Sequence, residues 1–165
     1  MTLFSDIGRL MLALILTLGF LVLGGLTHPA SAEEEEGLET ELAEPEPDWD
    51  NPRKVLLQVT TKDPAHVNNV YYNAINIKKF YGDDFVQVAI VFYGPGIRTI
   101  LKESAIAPER VSSLQTYGVE FIACGNTLET IEKGQEDLLD GVIRVQAGIP
   151  EIIERKMKGW HYVVP

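Results

Sequence analysis

Three apolar runs, each too short for a helix, constrain this chain more than anything else in it. Lys54 to Thr61 reads KVLLQVTT, Phe85 to Phe92 reads FVQVAIVF, and Val119 to Ala123 reads VEFIA. The first is bounded by Pro52 and by Lys62-Asp63-Pro64, and Gly94-Pro95-Gly96 terminates the second. A strand with one wet face alternates apolar and polar side chains, whereas a strand covered on both faces is apolar nearly throughout. These runs belong to the second kind. They predict a parallel sheet enclosed between helical layers.

The intervening segments agree. DPAHVNNVYYNAINIKKFYG places Val67, Val70, Tyr71, Ala74, Ile75, Ile77 and Phe80 close to helical spacing, and Gly82 ends that helix. Ile97 to Lys102 reads as one helical piece and Pro108 to Tyr117 as another, broken near Ala107-Pro108. Asn126 offers a cap oxygen with Glu129 three residues on, predicting a helix to about Leu139. Val142 to Gln146 is a fourth strand, Ile149 to Lys158 a helix opened by Pro150, and Trp160 to Val164 a closing strand. The expected fold is a three-layer α/β sandwich with a mainly parallel sheet of about five strands. No internal repeat stands out.

Ahead of this domain the chain is of another kind. Leu10 to Leu26 is a 17-residue, almost wholly apolar run preceded by Arg9 and followed by Ala30-Ser31-Ala32, small residues of the kind a signal peptidase reads. It is longer than the roughly 7 to 15 residues of a signal core and shorter than the ~20 of a membrane span. Residues 1–32 are therefore expected to be a signal peptide cleaved before Glu33, or a retained N-terminal anchor that holds the protein at the inner membrane through residues 10–26. Both fates place the domain outside a bacterial cytoplasm, periplasmic or secreted. Residues 33–52 carry ten acidic side chains from Glu33 to Asp50 with no basic one, and read as a disordered tether. The domain is expected over 53–165.

The formal charge of −10 resides in that tether, because Asn51 to Pro165 holds 13 Lys plus Arg against 13 Asp plus Glu. With no basic surplus to release phosphate counterions, nucleic acid is not an expected partner. A single cysteine in an exported chain forms no intramolecular disulfide.

In open α/β sheets, ligands sit at the carboxyl ends of the strands. The loops expected there are Lys62 to His66, Tyr93 to Gly96, Cys124 to Asn126 and Gln146 to Gly148. Cys124 thus falls just before a helix N-terminus, where unpaired N–H groups favour a thiolate, and Gly125 beside it leaves room for a partner to approach. Opposing this are Glu120 and Glu129 nearby, and the ordinary behaviour of a free cysteine as a small buried hydrophobe. Gly94, Pro95 and Gly96, with Gly125 and Asn126, are candidate pocket residues. His66 is a candidate base or ligand-orienting group, or simply a solvated loop histidine. No phosphate-loop or dinucleotide fingerprint is present, and His28, His66 and His161 have no metal-ligand spacing with Cys124.

Taken in order, KVLLQVTTKDP, VNNVYYNAINIKKFYG, VQVAIVFYGPGIRTIL, GVEFIACGNTL and GIPEIIERKMKGWHYVVP resemble the DsrE/DsrF-like proteins, particularly exported single-domain members. The resemblance covers nearly all of Lys54 to Pro165. It implies a flavodoxin-like α/β fold, a tendency to form homo- or hetero-oligomers, and a cysteine that carries persulfide sulfur between a donor and an acceptor protein. The matching position is Cys124, and neither cofactor nor metal is implied. The alternative is a non-catalytic module that binds a small molecule or assembles into oligomers.

Overall fold

The computed structural model describes residues 39–165, so the expected leader and the first part of the tether lie outside the described residues. Leu42–Pro165 form one compact unit. Among the described residues no helix is long and apolar enough to cross a membrane.

Strand β1 spans Arg53–Val59, β2 Val86–Phe92, β3 Val119–Cys124, β4 Ile143–Val145 and β5 His161–Tyr162. They form one sheet in the order β4-β3-β2-β1-β5, and every pairing is parallel. Helix α1 is Pro64–Tyr81, α2 Pro108–Thr116, α3 Gly125–Thr130 and α4 Gly148–Met157. Asp63 starts α1 by accepting the Ala65 N–H at 3.1 Å, with Pro64 set for the first turn. Gly82, at φ 88°, ends it in a conformation that a side chain disfavours.

Handedness decides which helix covers which face. Parallel crossovers are right-handed, so steps in one direction along the sheet put their helices on one face, and a reversed step puts its helix on the other. The chain moves one way from β1 through β4. It then returns across the whole sheet to pair β5 with β1. Helices α1, α2 and α3 therefore share one face and α4 stands alone on the opposite one. Val55, Leu57, Val59, Ile90, Phe92 and Phe121 are buried beneath the first layer, while the second core is small: Leu56, Ala89, Val91, Ile122 and Ile152. The three layers expected from the apolar runs are present but unequal.

Two helical expectations need correction. The helix expected from Asn126 to Leu139 stops at Thr130, because Glu132 turns to φ 56° and the Lys133 N–H bonds back to the Leu128 carbonyl at 2.9 Å. Asp137 then secures the return, accepting the Gly134 N–H at 2.8 Å and lying 3.4 Å from the Lys133 ammonium. Gly94-Pro95-Gly96 is not an open loop but the first turn of a 3-10 helix, Gly94–Ile100, which the Thr99 hydroxyl ties down by donating to the Gly96 carbonyl at 2.7 Å. The last residues of the expected tether are also held. The Asp48 carboxylate accepts the N–H groups of Asp50 and Asn51, and the Trp49 ring meets Phe85 edge-on at 5.8 Å.

Candidate functional site

The connections after β3 and β4 diverge, α3 to the large-core face and α4 to the other. A crevice forms outside the carboxyl ends of two parallel strands where their connections part in this way. Cys124 is the last residue of β3 and Gly148 the first of α4, so both stand at that point. Cys124 is itself the N-cap residue of α3, one position before Gly125; the cap expected at Asn126 lies inside the helix instead.

Cys124 is 6% exposed. Burial alone pushes its pKa up, but the Thr127 hydroxyl and the backbone N–H groups of Gly148, Thr127 and Asn126 stand around the sulfur and outweigh it, so the thiol lies below its ordinary value. Neither carboxylate that threatened this effect is free to act. Glu129 pairs with Arg144 at 2.6 Å, and Glu120 pairs with Arg155 at 2.8 Å.

Thr127 is also the link to the 3-10 helix. The Gly94 N–H donates to its Oγ1 at 3.2 Å, which leaves the hydroxyl proton to turn toward sulfur. Gly94 therefore reaches the thiol through Thr127. Gly96 does not: a Cβ there would lie 2.2 Å from the Val59 carbonyl oxygen, so its role is close packing on the end of β1. Pro95 sits between them in the first 3-10 turn.

Gly125 does not open a path for a partner. A Cβ at that position would fall 2.7 Å from the Val145 carbonyl oxygen, so the missing side chain lets β3 and β4 come together. Gly148 is the glycine that gives the cysteine space. Its absent Cβ would lie 3.1 Å from the Cys124 Cβ and 3.4 Å from that of Tyr93. Asn126 is exposed and its N–H donates to the Gln146 carbonyl at 3.0 Å, joining the two diverging segments. His66 lies in the first turn of α1, on the same sheet edge but two strands away, with no side-chain hydrogen bond among the described residues.

A polar cluster beside Gly148 escaped the sequence reading. Gln58 Oε1 accepts from the Tyr93 hydroxyl at 2.6 Å and from the Tyr162 hydroxyl, bringing together β1, the residue that follows β2, and β5. Burial and the neighbouring Tyr93 push the Tyr162 phenol up. Only the Tyr93 position, directly before Gly94, gave a local hint.

A family model, described as the DsrE/DsrF-like family, matches residues 53–165. The chain belongs to the DsrE/DsrF-like family. That family is associated with sulfur metabolism in general. Among solved structures, a protein of unknown function from Methanobacterium thermoautotrophicum is 29% identical with a TM-score of 0.65, covering 68% of this chain and 99% of its own. A conserved protein of unknown function from Bacteroides thetaiotaomicron shares the fold at 17% identity and a TM-score of 0.56, covering 68% of this chain and 94% of its own. No curated protein matches.

In this DsrE/DsrF-like chain the switch-point residues can stabilise one negative charge on sulfur. Helix N-termini and a hydroxyl donor converge on a single thiol, which is what a nucleophilic sulfur requires. Among the described residues no group of three or more His, Cys, Asp or Glu is placed to hold a metal. Cys124 lines none of the four grooves described on the domain; the largest, about 620 Å³, runs between α1 and the C-terminal strand past Arg53, Phe80, His161 and Pro165.

Proposed function

We propose that this protein is an exported sulfur carrier that holds sulfane sulfur as a persulfide on Cys124. The observation that supports this reading is the setting of the thiol: at the switch point, against Gly148, with the Thr127 hydroxyl and three backbone N–H groups favouring its thiolate. The Cys124 thiolate attacks the outer sulfur of a donor persulfide. The donor's S–S bond breaks, its thiolate leaves, and an S–S bond forms on Cys124. An acceptor thiolate then attacks the outer sulfur and returns Cys124 to the thiolate. No oxidant is consumed, and no second cysteine is needed. The family's association with sulfur metabolism supports the same chemistry, and the apolar leader over residues 10–26 supports export, either as a cleaved signal or as an anchor.

One observation favours a different class. At 6% exposure, outside every described groove, Cys124 packs as a core residue would, which suits a non-catalytic binding or assembly module. Exposure of the folded protein to polysulfide, followed by intact mass for wild type and Cys124→Ser, separates the two. One added sulfur in wild type alone, removed by reductant, is the expected result. An unmodified folded protein whose thiol labels only after denaturation would establish the module instead.

A further inference from the structure

A groove of about 400 Å³ opens on the outer surface of the layer formed by α1 and α2, away from the cysteine. Ile75, Leu114 and Tyr117 form its apolar wall, and Lys78, Lys79 and Arg110 line it with positive charge against one carboxylate, Asp83, which Lys78 offsets. The volume is that of a small-molecule site, and an apolar wall with a few fixed polar groups is the usual composition of one.

The three cations are not equivalent. Lys78 is buried and committed: its ammonium donates to the Asp83 carbonyl at 2.8 Å and the Val86 carbonyl at 3.3 Å, and lies 3.7 Å from the Asp83 carboxylate. Lys79 has no carboxylate partner among the described residues, although it also complements the carboxyl end of α1. Arg110 is the informative one. Its guanidinium is fixed by neutral groups, donating to the Asn68 side-chain oxygen and to the Tyr72 hydroxyl at 3.3 Å, and it lies 4.5 Å from the centre of the Tyr72 ring.

Arg144 and Arg155, by contrast, are neutralised by carboxylates. Arg110 is held in place without being neutralised. It also occupies the first turn of α2, where the helix dipole disfavours a cation. A bound anion would relieve that cost, and a guanidinium already fixed in position loses little freedom on taking up a carboxylate.

We infer that this groove binds a small amphipathic carboxylate, with its acidic oxygens on Arg110 and its apolar body along Ile75, Leu114 and Tyr117, and with Lys79 adding attraction at the far end. The inference stands apart from the chemistry at Cys124 and survives if that thiol proves inert.

The test is an amide-resolved NMR titration of the full chain with decanoate and, separately, decanol, which share a body and differ in charge. Decanoate is expected to shift the amides of Ile75, Lys79, Arg110 and Ser113 to saturation, and decanol to bind at least ~10-fold more weakly. Arg110→Gln is expected to weaken decanoate by about tenfold, the loss of one charge-assisted contact. If that variant fails to fold, Lys79→Gln at an exposed position is expected to weaken decanoate by about threefold, through a longer-range charge. Equal binding of decanoate and decanol, unchanged affinity in the folded variant, or shifts confined to the groove past Arg53 and His161 would each overturn the inference.

Discussion

The two faces of the sheet differ in how they are covered. On one, three crossovers lay α1, α2 and α3 over a continuous core, where Phe121 stacks on Phe92 with ring centroids 5.8 Å apart and meets Tyr71 edge-on at 5.8 Å. On the other, one ten-residue helix covers the sheet through a single buried anchor, Ile152. A stripe beside that anchor on the same helix shows Ile149, Ile153 and Met157 to solvent, and Met157 is 80% exposed. Cohesion is concentrated on the first face, while the second holds the residues around Gly148 and the Gln58 cluster. The candidate chemistry thus lies where the two faces meet, with Cys124 packed into the larger core and Gly148 reaching it from the thinner one.

The largest test of that contrast is a pair of truncations. Phe121→Ala is expected to cost about 3–5 kcal/mol in urea denaturation, since a large ring leaves a cavity in a filled core. Ile152→Ala is expected to cost only about 2 kcal/mol, the low end for a buried branched side chain, because its helix is already half in water. Equal losses would mean that the two faces contribute alike.

A smaller effect is expected at the meeting of the two faces. Gly148→Ala puts a methyl group 3.1 Å from the Cys124 Cβ and is expected to cost about 1 kcal/mol by overcrowding, while slowing alkylation of Cys124 by iodoacetamide. Faster alkylation would show that Gly148 does not shape access to the sulfur.

An effect of similar size on stability, and the sharpest on the thiol, belongs to Thr127→Val. Removing one hydroxyl donor is expected to cost about 0.5–1.5 kcal/mol. Because the folded thiol lies below its ordinary pKa, the alkylation rate of the native protein should rise with pH at a lower midpoint than that of the urea-unfolded chain. The linkage follows the same sign: this stabilisation is present above the unfolded pKa and fades as pH falls through the folded one. In Thr127→Val the native midpoint should move up toward the unfolded value. An unmoved midpoint would assign the shift to the backbone N–H groups alone.

The apolar runs made β1, β2 and β3 legible, since burial on both faces leaves a mark on every residue of a strand. The break at Ala107-Pro108 was legible for the same reason that proline is: it sets its own backbone angle, and α2 begins at Pro108. The early end of α3 was not, because it depends on Lys133 reaching back to Leu128 and on Asp137 folding under the loop, contacts that no local pattern records. The site divides similarly. Cys124 could be placed at a strand-to-helix junction from its neighbours alone, and Thr127 could have been found three residues on. Gly148 arrives from another strand, and only the sheet order brings it to the sulfur.

That sheet order has a consequence for how the domain is made. Strand β5 pairs with β1, His161 opposite Val55, so the first strand gains its second neighbour from the far end of the chain. Such pairing raises contact order, and high contact order slows folding because a long loop must close before its contacts form. The sheet stays open along β1 until the final residues are available. A chain cut short by even its last six residues would keep its larger core and lose its edge, exposing a bare parallel strand to any other chain nearby.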